Sequence, residues 1–122
     1  VYPFAGPSAE AISHARSQMA ALLGAKPEEV IFTSCGSESD NAALRSAAKT
    51  QNGRRNIVTT CVEHPAILNT CRDLAEYSGI HVDYLSVDSR GRLDLDEARA
   101  LITEETALVS VMAANNEIGN IF

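Results

Sequence analysis

Several things are scarce in this 122-residue sequence, and each scarcity excludes something. No apolar run approaches the roughly 18 residues that a membrane-spanning helix needs, so no membrane partner is expected. Basic residues are outnumbered, 10 Lys plus Arg against 16 Asp plus Glu, for a net charge of −6. That balance argues against nucleic acid, whose binders carry a basic stripe. There are only three cysteines, Cys35, Cys61 and Cys71, and none form a C-x-x-C pair. The odd count argues against a disulfide framework and the spacing against a zinc site, so no metal and a reducing, cytoplasmic setting are expected. Val1-Tyr2-Pro3-Phe4 lacks the basic and apolar regions of a signal peptide. The missing initiator Met points to a trimmed chain or a segment of a longer one. No repeat and no Pro/Gly/Ser-rich linker breaks the chain, so residues 1–122 are expected to form a single segment without an internal boundary. What is present is an ordinary globular composition, 45% hydrophobic and 21% charged.

The hydrophobic pattern alternates between two periods. Ile12, Ala15, Met19 and Leu22 or Leu23 recur at helical spacing, predicting a helix over 9–23 that stops at Gly24. Val30-Ile31-Phe32-Thr33 is a short β-rich run and predicts a strand. A turn, 34–37, leads into a helix from about Glu38 to Lys49, broken by Asn52-Gly53. A second strand is predicted at 56–60. Pro65 then suits the first turn of a helix running to about Tyr77, because its missing N–H would be unpaired there anyway. A third strand is expected at 81–87, a turn at 88–91, a helix capped by Asp94 through Ile102, and a fourth strand at 106–112. The order α-β-α-β-α-β-α-β predicts an α/β layer fold with a mostly parallel sheet. In such sheets ligands bind beyond the C-terminal strand ends.

The chemistry-bearing residues fall in those places. Thr33-Ser34-Cys35-Gly36-Ser37-Glu38 is a small-residue turn running from a strand into a helix start. Unpaired N–H groups and the helix dipole favour a phosphate there. Gly36 would let the backbone approach it and the Ser37 hydroxyl would add a donor. The G-x-x-x-x-G-K-[ST] spacing is absent, so this is no P-loop. The plain alternative is that Ser34 or Ser37 only caps the helix. Cys35 lies in the same turn, where a helix start would raise its reactivity; otherwise it is a small packed residue. Cys61 and Cys71 are expected to fill core positions. Glu63-His64-Pro65 puts a His at a strand end, able to stack on an aromatic ligand or move protons, or merely to sit in a loop. His14 and His81 have no such setting. Asn115-Asn116-Glu117 follows the last strand; its amides can bind a ligand oxygen or hold a left-handed turn. A phosphate turn, a His and an Asn at one sheet edge favour pyridoxal phosphate. The G-x-G-x-x-G fingerprint of a dinucleotide site is missing.

Three runs, taken together, resemble a known family. Ile31-Phe32-Thr33-Ser34-Cys35-Gly36-Ser37-Glu38-Ser39-Asp40-Asn41, Glu63-His64-Pro65-Ala66-Ile67-Leu68, and Val109-Ser110-Val111-Met112-Ala113-Ala114-Asn115-Asn116-Glu117-Ile118-Gly119 are similar, in that order and spacing, to the signatures of cysteine desulfurases. These belong to the class V aminotransferase group with the type I pyridoxal-phosphate fold. Thr33-Ser34-Cys35-Gly36 and Gly91-Arg92-Leu93-Asp94-Leu95 are most similar to the nitrogen-fixation (NifS-like) type.

The resemblance implies that the chain is the N-terminal part of a large cofactor-binding domain. It implies that Gly36 and Ser37 hold the phosphate of pyridoxal 5'-phosphate. By the same resemblance His64 stacks on the pyridine ring and transfers protons, as the catalytic residue of this stretch, and Asn116 hydrogen-bonds the phenolic oxygen. The implied reaction is L-cysteine to L-alanine plus an enzyme-bound persulfide for iron–sulfur cluster assembly. A homodimer and a sulfur-acceptor or scaffold protein are the implied partners. The family's Schiff-base Lys, pyridine-facing Asp and persulfide-forming Cys lie beyond the matched stretch; Lys26 and Lys49 are the only lysines and match none of these, nor do the three cysteines. The 122-residue chain alone is therefore expected to be inactive. Two other readings stay open: another class V enzyme, such as a selenocysteine lyase or aminotransferase, or a non-catalytic folding or dimerisation module.

Overall fold

The computed structural model describes residues 5–122, and Val1 to Phe4 lie outside the described residues. The chain divides into two compact units, residues up to Ser34 and Cys35–Phe122.

The first unit is built on helix α1, Ala5–Leu23. It begins earlier than the apolar pattern predicts, because Pro7 sits in the first turn, where no N–H is required. It ends as expected at Gly24, whose φ of 66° is left-handed. Ala25 N–H donates to Ala20 O at 2.9 Å and Gly24 N–H to Ala21 O at 3.4 Å, which together close the last turn. A 3₁₀ turn follows at Pro27–Glu29. The Arg16 guanidinium then secures the segment beyond: Nε donates to Val30 O at 3.2 Å, and the group lies 5.2 Å from the centre of the Phe32 ring.

Residues 30–33 are not the expected first strand. Val30 has the extended backbone its β-branched side chain favours, φ −97° and ψ 117°, but the run enters no ladder among the described residues. Composition can set a backbone shape, whereas a strand also needs a neighbour to share its hydrogen bonds. Ile31 is accordingly 82% exposed.

The second unit holds α2 (Gly36–Thr50), β1 (Asn56–Thr60), α3 (Pro65–Ser78), β2 (His81–Leu85), α4 (Leu95–Leu101) and β3 (Thr106–Ser110). The three strands form one parallel sheet in the order β2-β1-β3. The α/β reading with parallel strands holds, with three strands in place of four. All residues of central β1 are buried, as expected of a parallel strand covered on both faces. Ile57 stands in register with Val82 and Leu108, and this row meets Leu44 of α2 and Ile67, Cys71 and Leu74 of α3. That layer is the hydrophobic core.

The punctuation explains the element ends. Gly79, at φ 63°, stops α3 and leaves only Ile80 before β2. The Asp94 carboxylate accepts from the N–H groups of Asp96 and Glu97 and starts α4, as predicted. Between α2 and β1 the chain turns through exposed Asn52 and Gly53, both left-handed, at φ 50° and 85°. Two strands are shorter than their apolar runs. β2 stops at Leu85 because Ser86 gives its N–H and hydroxyl to the Glu97 carboxylate, at 3.0 and 2.7 Å. β3 stops at Ser110, and the Met112 N–H goes instead to the Glu63 carboxylate at 2.7 Å.

The strand order carries a functional consequence. From β1 the chain moves to one side to form β2, then crosses to the other side to form β3. The crevice between the C-terminal ends of β1 and β3 is therefore where the winding reverses, and that is where open parallel sheets bind ligands.

Candidate functional site

Two neighbouring hollows meet at the C-terminal end of the sheet. The first, of about 510 Å³, runs between the starts of α2 and α3 and is lined by Ser37, Asn41, Arg45, His64, Pro65 and Asn69 among others. The second, of about 340 Å³, occupies the crevice beyond β1 and β3, and its walls include Cys61, Glu63, His64, Asn115, Asn116 and Ile118. His64 and Pro65 line both. Three of the four residues singled out from sequence, Ser37, His64 and Asn116, therefore border one continuous region, with Gly36 next to Ser37 in the same first turn.

At the start of α2 the residue before the helix is Cys35, with extended backbone and no side-chain hydrogen bond to the first turn. The N-cap position thus falls to Cys35, between the two serines. Gly36 and Ser37 are exposed, and a Cβ at Gly36 would meet nothing within 4 Å. Gly36 and Ser37 thus place two backbone N–H groups and a serine hydroxyl at the exposed start of a 15-residue helix. This donor set suits an oxyanion. The Arg45 cation farther along the groove is paired with Asp73 at 2.7 Å.

His64 is the N-cap of α3, with Pro65 in the first helical position. The Ala66 N–H donates to Nδ1 at 3.1 Å. This bond occupies the Nδ1 lone pair, so the neutral ring carries its proton on Nε2. The imidazole is exposed yet held by its backbone bond and by a proline that fixes the entry into the helix.

The paired asparagines divide their work. Asn115 is buried; its Oδ1 accepts from the N–H groups of Glu117 and Ile118, at 2.9 and 3.1 Å, and its Nδ2 donates to Val62 O at 3.3 Å. It holds the turn through its side chain; neither asparagine is left-handed, and the positive φ of this turn, 76°, falls on Gly119, whose N–H donates to Asn115 O at 2.9 Å. Asn116 is exposed at the crevice with its amide free of partners among the described residues.

Reading the residues one by one missed Glu63, which figured only as a neighbour of His64. It is 7% exposed and accepts from Thr60 Oγ1 at 3.0 Å as well as from Met112. Only its carboxylate character, three residues past the end of a fully buried strand, could have signalled it.

The cysteines split unevenly. Cys71 fills the core as expected; burial, with the nearby Glu63 charge, pushes its thiol up to about 11. Cys61 does not fill the core: it follows the end of β1 and is exposed in the crevice. Cys35 is exposed too, against the packed alternative. No lysine lies at either hollow. Lys49 is in the last turn of α2, roughly 20 Å along the helix from Gly36 at 1.5 Å per residue, and Lys26 belongs to the first unit. No cluster of three or more metal-ligating side chains occurs among the described residues, and no helix there is long and apolar enough to cross a membrane.

Comparison with known proteins fits this geometry. Residues 1–122 match the family model described as aminotransferase class-V. The chain belongs to the aminotransferase class-V family. Among class-V relatives, a cysteine desulfurase of Nostoc sp. is 54% identical over all of this chain, which spans 30% of that protein. The cysteine desulfurase NifS of Azotobacter vinelandii is 50% identical over 92% of the chain and 28% of its own length. Among solved class-V structures, one titled a NifS-like protein superposes with a TM-score of 0.87 at 43% identity, covering 99% of this chain and 33% of its own. The chain thus spans about a third or less of the proteins it matches.

Proposed function

We propose that this chain is the N-terminal part of the cofactor-binding domain of a cysteine desulfurase that uses pyridoxal 5'-phosphate. The whole protein would convert L-cysteine to L-alanine and pass the sulfur, as an enzyme-bound persulfide, to iron–sulfur cluster assembly. One observation carries the reading: the exposed start of α2 with the Ser37 hydroxyl, an imidazole held by a backbone N–H and a free carboxamide border two hollows at the point where a parallel sheet reverses its winding.

These residues fit the cofactor by the chemistry of their donors. The N–H groups of Gly36 and Ser37, with the Ser37 hydroxyl, hold the phosphate. The His64 ring offers a flat face for the pyridine, and its Nε2 is the atom that holds or moves a proton. Asn116 donates its amide N–H to the phenolic oxygen. Bound pyridoxal phosphate supplies an electron sink for carbanionic charge on the substrate. The covalent lysine anchor and the sulfur-accepting cysteine are not among these residues and belong to the rest of the polypeptide. In this reading the whole enzyme is a cytoplasmic homodimer that delivers sulfur to an acceptor or scaffold protein.

The test is cysteine-dependent alanine release by the full-length protein, with Ser37→Ala, His64→Ala and Asn116→Ala compared in parallel. We expect Ser37→Ala to weaken cofactor retention by about ten- to a hundredfold, the equivalent of one lost hydrogen bond to a charged group. His64→Ala is expected to lower turnover by at least about a hundredfold, as for loss of a proton-transfer group. The isolated segment is expected to release none. Alanine formed by the segment alone, or full turnover in His64→Ala, overturns the assignment.

A further inference from the structure

Glu63 is the buried acid that the proposed chemistry leaves unused. It sits in the loop between β1 and α3, directly before His64. One of its oxygens, Oε1, accepts from Thr60 Oγ1 at 3.0 Å and from Met112 N–H at 2.7 Å. Thr60 is the last residue of β1, and Met112 lies just past the end of β3. A single carboxylate oxygen therefore ties together the two strand ends that flank the crevice. Close by, Asn115 Nδ2 donates to Val62 O at 3.3 Å, so the same two loops are joined a second time. These loops carry His64 on one side and Asn116 on the other. Hydrogen bonds to a carboxylate are shorter and stronger than neutral ones, and burial strengthens them further.

We propose that Glu63 is a positioning residue that sets the spacing between His64 and Asn116, and through it the fit of the ring-binding crevice. The proposal rests on the cofactor reading above. Glutamine keeps an acceptor oxygen at this position. Alanine leaves the Thr60 hydroxyl and the Met112 N–H without one in a buried setting. Thr60→Val removes one donor and keeps the carboxylate.

The experiment uses the full-length protein and the variants Glu63→Gln, Glu63→Ala and Thr60→Val. Pyridoxal-phosphate affinity and the visible circular dichroism of the bound cofactor are measured. The melting temperature without cofactor and the amide hydrogen exchange of residues 111–118 are recorded for each protein. We expect Glu63→Ala to weaken binding by about tenfold or more and to alter the dichroic band, with Glu63→Gln restoring affinity to within about threefold and Thr60→Val falling between. Wild-type affinity and dichroism in Glu63→Ala overturn the proposal and leave the cofactor reading intact, whatever the melting temperature does. If Glu63→Ala does not fold, Thr60→Val decides, and an unchanged band there overturns it. If the wild-type protein does not bind pyridoxal phosphate, the cofactor reading fails. The positioning role then stands on faster exchange across 111–118 in the variants and falls if exchange is unchanged.

Discussion

Ile12, Met19, Leu22 and Leu23 recur along α1 at the same helical spacing as Ile67, Thr70, Cys71 and Leu74 along α3. On α3 all four are buried, whereas on α1 the apolar four are all exposed, Leu22 at 78%, and only Ala20 is covered. Both helices carry apolar residues at helical intervals, though those of α3 are confined more sharply to one face. They differ in what their units contain: the unit of α3 has a parallel sheet whose Ile57, Val82 and Leu108 present a flat apolar row, and the unit of α1 has none among its described residues. Periodicity states which face of a helix is apolar; a second layer decides whether that face is buried.

The comparison can be sharpened by substitution, measured as stability to denaturant. The largest effect is expected for Leu44→Ala on α2, which is 1% exposed against the sheet. It should cost about 2–5 kcal/mol, as cavities in packed cores do. A cost near zero would mean that the sheet unit is no better packed than α1. A smaller, pH-dependent effect is expected from Cys71. Its thiol is held near 11 when folded against 9.0 as the ordinary value. The unfolded chain thus loses the proton first, and stability should fall as pH rises from about 9 toward 11. Unfolding midpoints across that range should show the slope, and Cys71→Ala should flatten it; a slope that persists in the variant assigns it to another group. The smallest effect is expected for Leu22→Ala on α1, within about 0.5 kcal/mol. A loss there as large as that of Leu44→Ala would erase the distinction between the helices.

The sequence was legible wherever the decisive contact is local. Gly24 stops α1, Pro65 opens α3 and Asp94 caps α4, each through atoms a few residues away. The run 56–60 is a strand as predicted, since four of its five buried residues, Ile57 to Thr60, are β-branched. It misled where the decisive partner is distant. The run 30–33 has the composition of a strand and no neighbour to pair with. The early ends of β2 and β3 depend on carboxylates 11 and 49 residues away, Glu97 and Glu63. The candidate site divides in the same way. Gly36, Ser37 and His64 stand at helix starts, and Asn116 in the turn after the last strand, all of which local patterning locates. Glu63 and Asn115 act across the crevice, on atoms that no spacing rule connects to them.

The turn at Asn52-Gly53 has a practical use. It is exposed, left-handed and followed closely by β1, whose other end carries the Glu63-His64 loop. Five strand residues separate the two ends, roughly 16 Å at 3.3 Å per residue. Small polar loop tips of this kind accept inserted sequence. A fluorophore or affinity handle grafted between these residues would ride on the same rigid strand as the crevice while standing clear of it, giving a built-in reporter of events at the far end.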